Sequence, residues 1–525
     1  MTLRPNVLLI TVDQFRGDCL STLGHPNVRT PHLDALAGDG VLFTDHWAQC
    51  APCSPGRASL LTGLYQMNHR VLRNGTPLDS RHPTVANQAR AVGYDPLLFG
   101  YTDQSVDPRT VAPGNPRICS YEGIAPGFAV HTPLGEDGAL WRRWLAARGH
   151  APALLSDDEP QRIWRPAGGD LPPQRPHAEP PAFGAEETET AFLTERVIHH
   201  LRARDGAAAR TGAPWFLHVS HLRPHPPFVV PAPYNTMVAP GEVALPVRAE
   251  SREAQAAVHP FQRYAMERLA LSSFVYEAAG LVADLDDDAV RTIRAVYYGM
   301  IAEVDAQIGR LVAFLKERGD YDDTLIVVTS DHGELLGDHY LFGKLGWYDG
   351  AYRIPLIVKP PHPPILGRID AMTEAVDVAP TILQAIGAAP SPAMNGRSLL
   401  PFLKGGMPDV WRNAVHWEYD FRETASGEAE RALGLPLDAC QCAVLRDDRY
   451  KYVHFSGLPS LLFDLDRDPH ELDDRADDED YRDIRALYAE RMLSWRAVHQ
   501  DRTLTGWDLT APGGPLHRAP DRGQW

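Results

Sequence analysis

The chain has 525 residues, with 68 acidic against 51 basic side chains and a formal net charge of −17. That balance excludes a general nucleic-acid binder, because a polyanion is repelled by most of the surface, and the length is ample for a large buried core. Six cysteines, at 19, 50, 53, 119, 440 and 442, are too sparse and irregular for a disulfide framework.

The opening "MTLRPNVLLITVDQF" has one early arginine and a short apolar run that stops at Asp13 with no small-residue cleavage site, so it predicts a first strand. No apolar run approaches the roughly 18 residues needed to cross a bilayer. A soluble, cytoplasmic protein with no membrane partner is expected. "NVLLITV" (6–12), "PWFLHVS" (214–220) and "DTLIVVTS" (323–330) are nearly continuous aliphatic runs of the kind found in central parallel strands. Segment 286–318 begins "DDDAV", repeats apolar residues at helical spacing and stops at Gly319, which predicts a long amphipathic helix.

Strand and helix signals alternate over residues 1–405, predicting an α/β catalytic domain with a large mixed, mostly parallel sheet between helices. The Pro-rich stretch 150–183 and the stretch 229–285 read as insertions. After "NGRSLLPFLKGG" the texture changes to short strand candidates, "AVHWEYDF", "CAVLRD", "YKYVHF" and "LLFDL", then a helix at 480–498. This predicts a smaller α+β domain over 406–525 whose tail past Asp501 is an extended arm or disordered. Cys440 and Cys442 alternate as core residues of a strand do.

Asp13 and the pair Asp331–His332 directly follow strand candidates, and ligands collect at the carboxyl ends of strands in open α/β sheets. Two carboxylates and an imidazole converging there suit one divalent metal ion, with Gln14 able to add a neutral oxygen. Either acid alone could instead be a helix cap. In "CAPCSPGRASLLTG" (50–63), Ser54 and Pro55 read as an N-cap and first helical residue, placing Cys53 at the positive end of a helix dipole. Arg57, one turn in, offers a fork of donors to phosphate, phosphonate or sulfate oxygens. Residues 50 and 53 also have the spacing of a redox dithiol, and a zinc thiolate site is a further reading, although no other Cys or His lies close by.

"CSPGRASLLTG" resembles the sulfatase signature, in which a Cys-x-Pro-x-Arg core is read by a maturation enzyme that oxidises the cysteine to formylglycine. Cys53, Pro55 and Arg57 fit that core and Cys50 does not. The resemblance continues through Asp13–Gln14, "SDHGELLGDH", "RIPLIVK", "DVAPTIL" and "RYKYVHF...LFDLDRDPHEL", nearly the whole chain. Within the alkaline phosphatase superfamily, "GLYQMNHR", "SHLRPHPPF", "LFGKLGWYD", the "CQC" segment, Gln14 and His332 look most like phosphonate monoester hydrolases. The "GKWHLG" segment of typical sulfatases is replaced by "GYTDQS", with Tyr101 at the family's lysine and Asp103 at its histidine.

The resemblance implies an alkaline-phosphatase-like fold and a hydrolase of phosphonate monoesters and phosphodiesters that also accepts sulfate monoesters; a dedicated arylsulfatase is the alternative. A hydrated aldehyde at position 53 would attack phosphorus or sulfur with one hydroxyl, and the covalent ester would then break at carbon, which explains a broad substrate range. Asp13, Gln14, Asp331, His332 and the modified Cys53 would hold the metal. The imidazole favours manganese over calcium. Arg57 and Lys344 would neutralise nonbridging oxygens, Asn74 and Tyr101 would contact substrate, and His225 would protonate the leaving oxygen. Asp103 would be the base that collapses the intermediate, with His69, His221 and His339 in support. A small anionic ester, the maturation enzyme and further copies of the chain in a homo-oligomer, a tetramer among the options, are the implied partners. An alkaline-phosphatase-like zinc enzyme using Ser54, which would need a second metal's ligands, and a noncatalytic binding protein are rival readings.

Overall fold

A computed structural model describes residues 4–151, 155–166, 176–208, 213–363, 367–510 and 513–518. In chain order, β1 (Asn6–Val12) and β2 (Val41–Phe43) enter a large sheet, β3 (His46–Trp47) joins a two-stranded one, and β4 (Cys50–Ala51) enters a third. Next come β5 (Pro96–Gly100), β6 (Ala129–Pro133), β7 (Phe216–His221), β8 (Thr324–Thr329), β9 (Leu356–Lys359) and β10 (Gly367–Ile369), all in the large sheet. Its order is β10-β2-β9-β8-β1-β7-β5-β6, and only β9 pairs antiparallel with its neighbours.

The unbroken apolar runs have their reason here. β1 lies between β7 and β8, and its successive side chains go to opposite cores: Val7 and Leu9 to one, Leu8, Ile10 and Val12 to the other. In β8, Leu325 and Val327 face the first core, Ile326 and Val328 the second. The second core is covered by the helix Asp287–Arg318, which Asp286 caps by accepting from the Ala289 N–H and which ends at left-handed Gly319.

A short β11 (Thr373–Glu374) pairs with β3. The smaller sheet follows, in the order β15-β14-β13-β12-β4: β12 (Val415–Asp420), β13 (Gln441–Arg446), β14 (Tyr450–Phe455) and β15 (Leu461–Asp464), covered by the helix Arg482–His499 through Tyr488, Met492 and Trp495. Its edge strand β4 comes from 368 residues upstream, with Glu418 opposite Cys50. Cys440 and Cys442 are both buried in the core.

In the first insertion, residues 152–154 and 167–175 lie outside the described residues, but Trp164 and Phe183 pack on Trp141, with ring centroids 5.2 and 5.1 Å away. The second insertion carries the helices Arg252–Ala257 and Pro260–Met266. Beyond Asp501, β16 (Trp507–Asp508) pairs with β17 (Leu516–His517) in an exposed arm that presents Leu504, Leu509 and Leu516. Among the described residues no helix is long and apolar enough to cross a membrane.

Candidate active site

The adjacent strands β8, β1, β7 and β5 end at one edge of the sheet, followed by Asp331–His332, Asp13–Gln14, the loop from Leu222 to His225, and Tyr101–Asp103 respectively. The pairing of Thr11 with Thr329 sets Asp13 and Asp331 two residues past the same rung. Gln14 donates its backbone N–H to Asp331 Oδ1 at 3.2 Å, and Asp13 donates its own to the His221 carbonyl at 3.1 Å.

The helix Cys53–Thr62 points its N-terminus into this edge. Its first helical bond runs from Gly56 N–H to the Pro52 carbonyl at 3.0 Å, so Pro52 is the cap and Cys53 the first helical residue. The sequence had placed the cap at Ser54. Instead the Ser54 backbone N–H donates to Asn74 Oδ1 at 3.0 Å, so an amide from a neighbouring loop satisfies a free donor of the helix start. At Gly56 a Cβ would stand 2.6 Å from the Asp331 carbonyl oxygen, so glycine is what lets the helix approach β8.

Arg57 is fully buried and ties the two aspartates together. Nε donates to Asp331 Oδ2 at 2.9 Å, Nη2 to Asp13 Oδ2 at 3.0 Å, and Nη1 to Ser220 Oγ at 2.7 Å and the Tyr101 carbonyl at 3.1 Å. The fork expected to clamp substrate oxygens is thus engaged by the protein. The Tyr101 hydroxyl donates to Asp13 Oδ2, and its ring lies 4.1 Å under the guanidinium. Both Asn74 and Tyr101 therefore hold site residues in place.

Metal-donor atoms of Asp13, Cys53, Asp331 and His332 all lie within 4.8 Å of one another. His332 Nε2 is 3.3 Å from Cys53 Sγ and 3.7 Å from both Asp13 Oδ1 and Asp331 Oδ1, while its Nδ1 lies 3.1 Å from the Gly333 carbonyl, which fixes the ring. Burial, opposed by Asp331 and reinforced by Lys344, brings His332 down to about 4, so the imidazole is neutral and its Nε2 lone pair faces Cys53 and the two aspartates. Asp13 Oδ1 is buried without a hydrogen-bond partner; although burial alone would raise its pKa, His225, Arg57, His332 and Lys344 hold the carboxyl well below the usual range. An ionised, unsatisfied oxygen facing a neutral imidazole and a second carboxylate is the donor set one divalent cation requires. The Gln14 amide completes the rim. Its Nε2 donates to Glu334 Oε2, and its Oε1 accepts from Lys344 Nζ at 2.6 Å.

Burial and the charge of Asp13 push the Cys53 thiol up, so the unmodified side chain is a protonated thiol. Cys50 faces elsewhere, its sulfur 3.2 Å from Ser59 Oγ, and both cysteines are free. The sulfurs have different partners, which is no geometry for a redox dithiol. Among the described residues this is the one cluster of metal-competent groups, without the second ligand set that the Ser54 reading needs.

His225, half-buried, binds the Pro226 carbonyl through Nδ1 at 2.9 Å; burial and Lys344 lower its pKa while Asp13 acts against them. Asp103 is buried 3.9 Å from Arg57 Nε with Oδ1 unpartnered, and burial raises its carboxyl well above the usual range. A carboxyl so held keeps its proton to higher pH than a solvated aspartate does. His69 accepts from the Val71 N–H at 3.0 Å and lies 3.0 Å from Ser59 Oγ, His339 stacks on Tyr348 at 3.6 Å, and His221 is buried and brought down to about 4. Sequence reasoning missed Glu334, which orients Gln14, and Ser220, which seats Arg57. Both lie inside stretches already singled out, "SDHGELLGDH" and "SHLRPHPPF", but nothing in their spacing shows where they point.

A model of the sulfatase family matches residues 5–388, and one described as N-sulphoglucosamine sulphohydrolase, C-terminal, matches 337–498. The multifunctional alkaline phosphatase superfamily protein PehA of Trinickia caryophylli is 42% identical over 520 residues, 97% of this chain and 98% of the relative. The phosphonate monoester hydrolase of Agrobacterium radiobacter superposes with a TM-score of 0.93 at 50% identity, covering 98% of this chain and 100% of the other. That of Silicibacter pomeroyi gives 0.89 at 40% identity, over 99% and 100%.

Proposed function

The chain belongs to the sulfatase family, within the alkaline phosphatase superfamily, and is a hydrolase; from this premise we propose that it cleaves phosphonate monoesters and phosphodiesters, and also sulfate monoesters, with a formylglycine made from Cys53 as nucleophile. The observation that carries the reading is the convergence of Asp13, Asp331 and His332 on Cys53 at the head of a helix. The relatives named for phosphonate monoester hydrolysis support the substrate class.

Asp13, Gln14, Asp331, His332 and residue 53 would hold one divalent cation, manganese before calcium because of the imidazole. When present, the cation would supply positive charge beside the nucleophile, and the formylglycine a hydrated aldehyde oxygen to attack with. Arg57 keeps Asp13 and Asp331 at bonding distance from a shared point. Lys344 loses stability as a cation through burial, but the carboxylates around it, Asp13, Asp331 and Glu334, offset this and keep it charged, ready to bind a nonbridging oxygen. His225 is neutral at pH 7 in the free protein and would gain its proton beside an anionic ester, then pass it to the leaving oxygen. Asn74 and Tyr101 would meet substrate with the faces that their hydrogen bonds leave open. Asp103, whose Oδ1 has no partner, would be the base that collapses the intermediate.

Cys53, Pro55 and Arg57 are all buried, so the maturation enzyme would have to read them before the chain folds. The exposed arm beyond Asp501 would serve contacts between copies in a homo-oligomer.

The test is a peptide mass measurement at position 53 combined with rates for phenyl phenylphosphonate, a diaryl phosphate and an aryl sulfate in manganese. Formylglycine and turnover of the first two esters are expected. A fully active enzyme with sulfur at position 53 would overturn the nucleophile, and turnover of the sulfate alone would leave the dedicated arylsulfatase.

A further inference from the structure

Beside the nucleophile helix lies a cavity of about 430 Å³ whose lining includes Pro52, Asn74 and Leu345. Each adjoins the reaction centre: Pro52 precedes Cys53 and caps its helix, Asn74 accepts from Ser54 N–H, and Leu345 follows Lys344. A group bonded to phosphorus or sulfur at position 53 therefore has this cavity within reach.

Its walls are built from two parts of the chain that the chemistry so far leaves unused. The second insertion contributes Phe261 and Tyr264 from the helix Pro260–Met266, and the smaller sheet contributes Tyr419 and Phe421 from the end of β12. Phe261 stands 4.8 Å from Phe421 and 5.9 Å from Tyr419 between ring centroids. Such an aromatic wall favours a flat apolar guest, and the volume is that of a small-ligand site.

The rim carries three arginines of unequal standing. Arg268 donates to Glu428 at 2.8 Å, and Arg422 pairs with Asp420 at 2.8 Å. Arg73 donates through Nη1 to the neutral Arg422 carbonyl at 2.6 Å, and its charge reaches Asp420 and Glu423 without a salt bridge to either. The remaining acid on the rim, Glu423, is occupied by the Tyr264 hydroxyl at 2.7 Å and Ser426 at 2.5 Å. A half-buried guanidinium with unused donors above an aromatic wall is a receptor for an anionic arene.

We propose that this cavity takes an aromatic substituent of the substrate ester that itself carries a carboxylate, the ring lying on Phe261 and Tyr419 and the carboxylate paired with Arg73. The inference rests on the proposed function for the ester but concerns what the ester carries. The substituent is either the leaving aryloxy group or the aryl group retained on phosphorus, and the probes separate the two: 4-carboxyphenyl methylphosphonate against phenyl methylphosphonate, and phenyl 4-carboxyphenylphosphonate against phenyl phenylphosphonate.

Binding is measured by calorimetry on full-length Cys53→Ala in manganese, so that no turnover is needed and a failure of the hydrolase assignment is read separately, from the rates. One carboxylated probe is expected to bind about tenfold or more tightly than its plain partner. Arg73→Gln in the same background is expected to abolish that preference, and Arg73→Lys to retain part of it, with unchanged melting temperatures confirming the fold. Equal affinities within both pairs, or a preference that survives Arg73→Gln, would overturn the proposal.

Discussion

Arg57 shows how a residue's type can be legible while its partner is not. A buried guanidinium must be matched by anions, and here the match is made by the carboxylates that would bind the cation. Lysine at this position keeps the charge but offers a single point of contact, and cannot hold Asp13, Asp331, Ser220 and the Tyr101 carbonyl together. Arg57→Lys is therefore expected to weaken manganese binding by about 10- to 100-fold, as loss of a group that orients metal ligands does, with kcat/KM falling in step. Titration of metal-stripped protein measures this; an unchanged Kd with depressed turnover would instead place Arg57 on the substrate. Asn74 and Tyr101 carry the same lesson, since their hydrogen bonds run to Ser54 and Asp13.

At the scale of elements, the long helix Asp287–Arg318 buries Glu303 against the turn that starts the helix Glu189–Ala208, where Thr188 donates to it at 2.6 Å. Burial raises its pKa from 4.5 to about 7, Thr188 opposing only in part. The folded state therefore holds a proton that the unfolded chain has released, so stability falls as pH rises from about 4.5 through 7. Above that the cost is about 3 kcal/mol. Glu303→Gln removes the titration and keeps an acceptor for Thr188. Its melting temperature is expected to exceed that of the wild type at pH 8 and to converge on it at pH 5; a constant gap across that range would show that Glu303 does not titrate between them.

Across the whole molecule, the site joins segments that the sequence keeps far apart. β1, β8 and the helix Cys53–Thr62 each contribute ligands, and β4, just ahead of that helix, is the edge strand of the smaller sheet. A cation bound there crosslinks the fold. At a hundredfold excess over Kd it would add about 2.7 kcal/mol, which for a chain of this length corresponds to roughly 3 °C. Chelation is expected to lower the melting temperature by that much and added manganese to restore it. No shift in either direction would mean that these four side chains do not share an ion.

The sequence by itself determined the central strands, the long helix and the metal-competent acids, because runs buried on both faces and helical periodicity are local patterns, and because the ends of parallel strands are where an α/β sheet exposes chemistry. The strands of the smaller sheet were legible to within a residue or so for the same reason, as "YKYVHF" shows against Tyr450–Phe455. Only the tertiary structure decided that β4 crosses into that sheet, that Asn74 rather than Ser54 completes the helix start, that Arg57 faces inward, and that Asp103 is buried beside Arg57 with one oxygen unpartnered. Each of these depends on what the fold brings within a few ångströms across tens or hundreds of residues, and neither hydrogen-bond partners nor burial are written in residue spacing.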